Sequence, residues 1–307
     1  YKRGDKNRGM KLGFIDIRRA YFHAAARREA FIELLQEDAE EGMCGELIKS
    51  LYGSRDAAQN WEVEYSEFLQ GIGFVRGKHS PCVFCRWCTD GSTIRIVVLG
   101  DDFTVLGWAQ ELDWFWSVIS KKFLSKHRGR LGPQPGDLKS IRILNRVVEW
   151  SPTGICYEGD QRHAEICIQE MGLDESSREV TTPCDKSILD PKNSQSLSDK
   201  LSEPLDSCGA TRYRGLVARC NYLGQDRSDI QYAVKEASQA MANPSDDDWG
   251  KVKKVIRYLK SCPRFVNRFR YQSDPRGITA WSDSDFAGCL KTRKSTSGGI
   301  VCLGTHV

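Results

Sequence analysis

The chain has 307 residues, 40% apolar and 10% aromatic, enough to bury a sizeable core and to fold as two or three units. No stretch approaches the ~18 to 20 uninterrupted apolar residues of a membrane span, and no charged-then-apolar signal segment opens the chain. An intracellular protein without a membrane anchor is the expectation, with the twelve cysteines as reduced thiols rather than a disulfide framework.

The net charge of +4 is modest, but its distribution is uneven. Tyr1 to Arg28 carries nine basic residues against Asp5 and Asp16. Within it LGFIDI (12–17) is a short apolar run ending at an aspartate, and AFIELL (30–35) is a second short run. WEVEYSEFLQGIGF (61–74) predicts a helix with Val63, Phe68, Leu69 and Ile72 at its spacing. HSPCVFCRWC (79–88) offers His79, Cys82, Cys85 and Cys88 as zinc-type ligands. Val83, Phe84 and Trp87 fill the gaps, however, and on a strand this spacing sends alternate cysteines to opposite faces. The strand reading is preferred, as the first arm of a hairpin into the next run.

That run, IRIVVLGDDFTVLG (94–107), predicts a second hairpin with Asp101 and Asp102 at its turn. Adjacent carboxylates repel unless a positive charge sits beside them. A bound cation satisfies that requirement, and so does a plain solvated turn. ELDWFWSVISKKF (111–123) follows as a helix with Leu112, Phe115, Trp116, Ile119 and Phe123 on one face. These elements together predict a mixed sheet with helices packed on one side.

HRGRLGPQPGDL (127–138) is rich in Gly and Pro and reads as a loop. IRILNRVVEW and GICYEG then read as a hairpin, and the Ser-rich stretch Asp185–Asp206 as a linker. YRGLVARCNYLG (213–224) and IQYAVKEASQAMANP (230–244) predict helices, the second ended by Pro244. DDDWGKVKKVIRYLKSCP has acids at its start, cations toward its end and Pro263 as a stop. Its apolar stripe is Trp249, Val252, Val255, Ile256 and Leu259, which turns the lysines outward. From Trp249 to Arg270 there are eight basic residues and no acid. Such a face suits either solvent or a phosphate backbone. ITAWSDSDFAGC and STSGGIVCLG predict two further strands.

Six segments in order resemble the reverse transcriptase of copia-type LTR retrotransposons, running from the palm into the start of ribonuclease H. They are FIDIRRAYFH (14–23), LIKSLYGSRDAAQNW (47–61), VVLGDDF (97–103), YRGLVARCNYLGQDRSDIQYAVKEAS (213–238), WGKVKKVIRYLK (249–260) and WSDSDFAGCLKTRKSTSGG (281–299). The resemblance implies an α+β fold: a reverse-transcriptase palm, a helical thumb or connection region, and a truncated ribonuclease H-like α/β start. The implied segments are a palm (1–125) with the fingers largely missing, palm-end hairpins (126–184), a linker (185–210), thumb or connection helices (211–272) and the ribonuclease H start (273–307). Beginning at Tyr1 and stopping at Val307, the chain reads as a piece of something longer.

The implied activity is RNA-directed DNA synthesis, with attack of a primer 3′-hydroxyl on a deoxynucleotide. Carried over by position, Asp16, Asp101 and Asp102 bind two Mg²⁺ or Mn²⁺ ions, and Tyr21 lies under the sugar. With the fingers largely missing, Arg18 and Arg19, together with Arg27 and Arg28, are the basic residues expected to substitute in part in holding the triphosphate. Lys251, Lys253, Lys254, Arg257 and Lys260 become candidates for primer-template phosphates, giving salt-dependent, sequence-blind binding. Asp283 matches the first carboxylate of the ribonuclease H site. Implied partners are an RNA template, a DNA primer, deoxynucleoside triphosphates, and the protease and integrase of a Pol polyprotein. The implied settings are cytoplasm, virus-like particles or nucleus. Three positions depart from the family pattern: Gly100 replaces a Val-like residue, Asp56 a Gln and Ala58 a Pro. A G-D-D turn also occurs in RNA-copying viral polymerases, and a copy without fingers could persist as a nucleic-acid-binding remnant, so both readings stand beside the first.

Overall fold

The computed structural model describes residues 9–89, 91–184, 202–272, 275, 277–288 and 293–307. Most of the Ser-rich stretch (185–201) lies outside them, as do Lys2, Arg3, Lys6 and Arg8. The chain divides into two compact units, Tyr1–Lys139 and Ser140–Val307.

In the first unit the strands are β1 (Lys11–Ile17), β2 (Phe31–Ile32), β3 (Gly45–Glu46), β4 (Val75–Arg76), β5 (Val83–Trp87), β6 (Thr93–Leu99), β7 (Asp102–Gly107) and β8 (Ser125–Leu131). Two helices, α1 (Ala57–Gly71) and α2 (Ala109–Lys122), complete it. The main sheet has the order β4, β5, β6, β7, β1, β8. Every pairing in it is antiparallel, so the expected mixed sheet is instead a purely antiparallel one. Short hairpins join β5 to β6 and β6 to β7, and such turns reverse chain direction at each step.

Alternation along β6 and β7 sends Ile94, Ile96, Val98, Phe103 and Val105 into a core shared with Trp61, Tyr65 and Leu69 of α1 and Leu112, Phe115 and Ile119 of α2. Each such fully buried large side chain contributes roughly 2 to 3 kcal/mol of hydrophobic transfer energy. The α2 face matches its expected periodicity. On α1 the buried face is Ala57, Asn60, Trp61, Tyr65, Ser66 and Leu69, while Val63 and Phe68 are only half-buried. Polar residue types occupy part of that inner face, Asn60 among them with a hydrogen bond to Ser50, which hides it from an apolar count.

Where a loop is expected at 127–138, the structure has strand β8 as far as Leu131, paired with β1. β8 is an edge strand carrying Lys126, Arg128 and Arg130, and charge at an edge blocks pairing with other chains. Beyond it, Lys11 reaches Gln134 (2.9 Å) and Asp137 (2.7 Å), pinning the following loop with both charged side chains over 90% buried.

The second unit begins with β9 (Ser140–Ile143), β10 (Arg146–Ser151) and β11 (Gly154–Gly159), followed by α3 (Arg162–Glu170). Helices α4 (Ser207–Gly224), α5 (Gln231–Ser238) and α6 (Asp246–Ser261) come next, then β12 (Val266–Arg270), β13 (Ile278–Ser284) and β14 (Ser297–Leu303). IRILNRVVEW is thus two strands, not one. They meet at Leu144 and Asn145, whose φ of 47° and 59° mark a tight hairpin turn. Strand β12 completes an antiparallel sheet of order β12, β11, β10, β9.

Cys167, Tyr213, Leu216, Val234, Val252, Ile256 and Leu259 join α3 to α6 in one core. Helix α6 starts with a capping box between Ser245 and Asp248 and buries Val252, Val255, Ile256 and Leu259, as its pattern predicts. α5 ends at Ser238, six residues short of Pro244, with turns in between. β13 and β14 form an exposed antiparallel hairpin.

Candidate active site

Strand β1 delivers Asp16 and the β6–β7 turn delivers Asp101 and Asp102. In the β1–β7 ladder Asp16 lies directly opposite Asp102, and Ile15 opposite Phe103. Directly opposed side chains share a face. Ile15 and Phe103 enter the helix-covered core, so Asp16 and Asp102 occupy the other face of the sheet. The Ile17 N–H donates to the Asp101 carbonyl at 2.9 Å, tying the turn to the end of β1.

The turn requires its glycine, because Gly100 has φ +65°. It is also held from beneath. The indole N–H of Trp61, 1% exposed, donates to the Gly100 carbonyl at 2.8 Å. Trp61 is in turn wedged edge-on against Tyr65 and Phe123, at ring separations of 5.5 and 5.0 Å.

The segment leading to Trp61 is stitched to the segment after Asp16. The Ser50 N–H donates to the Ala24 carbonyl (2.9 Å), and Asn60, buried, donates to Ser50 Oγ (3.0 Å). Tyr21, in a 3-10 turn spanning Ala20–His23, lies with its ring 4.4 Å from that of Tyr52. Asp56, one of the departures from the family pattern, is paired with Arg28 at 3.3 Å and accepts from Asn60. Partial burial works against its charge, yet hydrogen bonds from its own backbone, Arg28 and Asn60 hold its carboxyl below the usual range. Its charge is therefore already compensated within the protein. Arg18 and Arg19 are exposed, Arg19 in the left-handed region at φ 54°.

Oxygen ligands of this kind suit a hard divalent cation. Among the described residues, however, no three His, Cys, Asp or Glu side chains converge closely enough to hold a metal ion. Asp102 already has a cationic partner, since Arg128 Nη1 of β8 lies 3.2 Å from its Oδ1. Burial pushes the Asp102 carboxyl above its ordinary range; Arg128 opposes this, and the charges of Asp101 and Asp16 add to it. The donor types suit a divalent cation, but the side chains as placed do not form a three-ligand group, and Arg128 is what Asp102 meets.

Arg128 is absent from the motif reading because it sits in the segment read as a loop. The signal for the strand itself, though not for the role of Arg128, is the alternation of Lys126, Arg128 and Arg130, the charge pattern of a protected edge strand.

The remaining candidates lie in the second unit. The face of α6 is less open than its sequence implies. Lys251 Nζ is 2.8 Å from Asp248, Lys260 donates to the Ser177 carbonyl at 3.1 Å, and Ser261 to that of Val180 at 2.6 Å. The stretch 175–180 thus takes up part of the expected basic face, leaving Lys253, Lys254 and Arg257 half-buried between. Asp283, on exposed β13, accepts the Ser284 N–H at 2.8 Å.

Nearly the whole chain aligns with known proteins. It is 28% identical over 305 residues, 98% of its length, to the retrovirus-related Pol polyprotein from transposon RE2 of Arabidopsis thaliana. The same identity and coverage hold for that of transposon RE1, and 23% over 298 residues for that of transposon TNT 1-94 of Nicotiana tabacum. The chain is a homologue of retrovirus-related Pol polyproteins. It spans about a fifth of each of these Pol polyproteins, 19%, 19% and 21% of their lengths. No protein-family profile matches it.

Proposed function

We propose that this stretch of a Pol polyprotein is its RNA-directed DNA polymerase. The first unit corresponds to the palm, the α4–α6 helices to the thumb or connection region, and the β13–β14 hairpin to the start of ribonuclease H. One observation carries the reading. Three segments far apart in the sequence meet: Asp16 lies opposite Asp102, Trp61 bonds to Gly100, and the Tyr21 ring packs at a tilt against that of Tyr52.

In this reading Asp16, Asp101 and Asp102 hold two Mg²⁺ or Mn²⁺ ions. Bound there, the metals neutralise developing charge on the attacking and leaving oxygens of phosphoryl transfer. The protein's own part is placement. The β1–β7 ladder fixes Asp16 against Asp102, Trp61 holds the turn, and Tyr21, packed against Tyr52, presents a wall to the sugar. A rigid ring there clashes with a ribose 2′-hydroxyl and favours deoxynucleotides. Arg18 and Arg19 supply positive charge for a triphosphate, and Lys253, Lys254 and Arg257 supply it for primer-template phosphates.

Asp283 belongs to the ribonuclease H portion and plays no part in polymerisation. The implied RNA template, DNA primer and companion protease and integrase follow from the same assignment. A second reading, a nucleic-acid binder without catalysis, is favoured by the Arg128–Asp102 ion pair, which occupies a proposed metal ligand.

The test is primer extension on an RNA template with Mg²⁺ or Mn²⁺, offering deoxynucleotides and ribonucleotides separately. Extension with deoxynucleotides supports the proposal. Preferential ribonucleotide incorporation would reassign the chain to RNA synthesis, and binding without extension to the second reading.

A further inference from the structure

The Asp102 carboxylate meets a guanidinium that a β-bulge delivers. In the β1–β8 ladder Phe14 pairs with Gly129 and Ile15 with His127, so Arg128 is the extra residue of a register shift. Bulges re-aim side chains. Here Arg128 reaches across β1 to β7 and meets Asp102 at 3.2 Å, with side chains 31% and 12% exposed.

The bulge depends on Gly129. Its φ is +129°, and a Cβ added there would lie 2.3 Å from Leu138 Cδ1. Leu138 is held by its own N–H donating to the Arg130 carbonyl at 2.8 Å. Gly129 and Leu138 together therefore fix where the Arg128 side chain starts.

We propose that Arg128 is the resident counter-ion of the carboxylate site, an internal cation that a divalent ion must displace from Asp102. The inference rests on the reading of Asp16, Asp101 and Asp102 as metal ligands. A guanidinium and a divalent cation cannot both sit against the same carboxylate oxygen without strong repulsion. With no metal bound, Arg128 relieves the repulsion among three carboxylates; on metal binding it swings outward. It thereby sets metal affinity without being a ligand, which makes it a positioning residue.

The experiment is Mn²⁺ binding to the full chain, read as loss of the free-ion paramagnetic resonance signal, with no substrate present. Arg128→Gln should bind Mn²⁺ roughly fivefold more tightly than the wild type at low salt, the scale of a partly exposed ion pair. Arg128→Lys, which keeps a cation there, should bind nearly as the wild type does. In an Asp102→Asn background the gain should vanish. As a second readout, Mn²⁺ should raise the melting temperature of Arg128→Gln more than that of the wild type. Equal affinities in wild type and Arg128→Gln would overturn the role of Arg128 while leaving the carboxylate site in place. Absence of binding by both folded proteins would overturn the metal reading itself, and this inference with it.

Discussion

Trp61→Phe is the perturbation that most directly probes how the Asp101–Asp102 turn is held. Trp61 is 1% exposed, and its indole N–H bonds to the Gly100 carbonyl at 2.8 Å. Phenylalanine removes that donor, which costs about 1 kcal/mol for a partly buried hydrogen bond. It also leaves a void against Tyr65 and Phe123 that neighbours fill only in part, costing about 1 kcal/mol more. The expected loss is thus about 2 kcal/mol, larger than a typical surface change. Urea unfolding followed by far-ultraviolet circular dichroism measures it, read from the transition of the unit spanning residues 1–139. Amide exchange at Asp101 and Asp102 should accelerate in the same variant, because the turn has lost its anchor. A stability change under about 0.5 kcal/mol with unchanged exchange would refute Trp61 as the clamp.

Other perturbations test the second unit. Glu158 is held below the usual carboxylate range chiefly by hydrogen bonds from Arg264, at 2.9 and 2.6 Å. A depressed carboxylate stabilises the fold above its unfolded value of about 4.5, and that stability is lost as pH falls through the folded value. Arg264→Met should therefore be less stable than wild type at neutral pH, with the gap closing as pH falls below the unfolded value of about 4.5; a gap independent of pH would contradict the assignment. Ser245→Ala removes one half of the α6 capping box and should cost about 1 kcal/mol in chemical denaturation. Lys253→Glu should weaken duplex binding and flatten its salt slope by about one unit or more, as measured by fluorescence anisotropy. Lys260→Ala, by contrast, should mainly loosen its contact with the 175–177 carbonyls and lower stability.

The β6–β7 hairpin, α2 and α6 were legible because each buries one face and so writes its period into the sequence. β8 was not, because an edge strand carries charge where a central strand carries apolar residues. The inner face of α1 was misread for a related reason. Asn60 is a polar type whose burial its bond to Ser50 makes tolerable, and Tyr65 is buried by packing edge-on against Trp61, Phe84 and Phe103. The cysteine-rich stretch 79–88 is strand only over Val83–Trp87, with Cys85 inside β5 and His79, Cys82 and Cys88 outside it.

At the candidate site, Asp16, Asp101 and Asp102 were picked out by motif order, and the β1–β7 register places Asp16 and Asp102 opposite each other. Arg128 was invisible because its role depends on a bulge, and a bulge is a property of pairing between strands rather than of either strand alone. The partly occupied face of α6 escaped notice similarly. Lys251 and Lys260 look like free cations in sequence, and only the fold brings Asp248 and the 175–177 carbonyls to them.

The central claim is that the Asp101–Asp102 turn, set against Asp16, is the centre of a DNA polymerase. Its most direct measurement is extension of a labelled DNA primer on an RNA template by the wild-type chain and by Asp101→Asn, at matched folded concentration and with Mn²⁺ present. Product is expected from the wild type, with a loss on the order of a hundredfold or more in the variant, the scale of removing a group that stabilises transition-state charge. Equal extension by both proteins would contradict it.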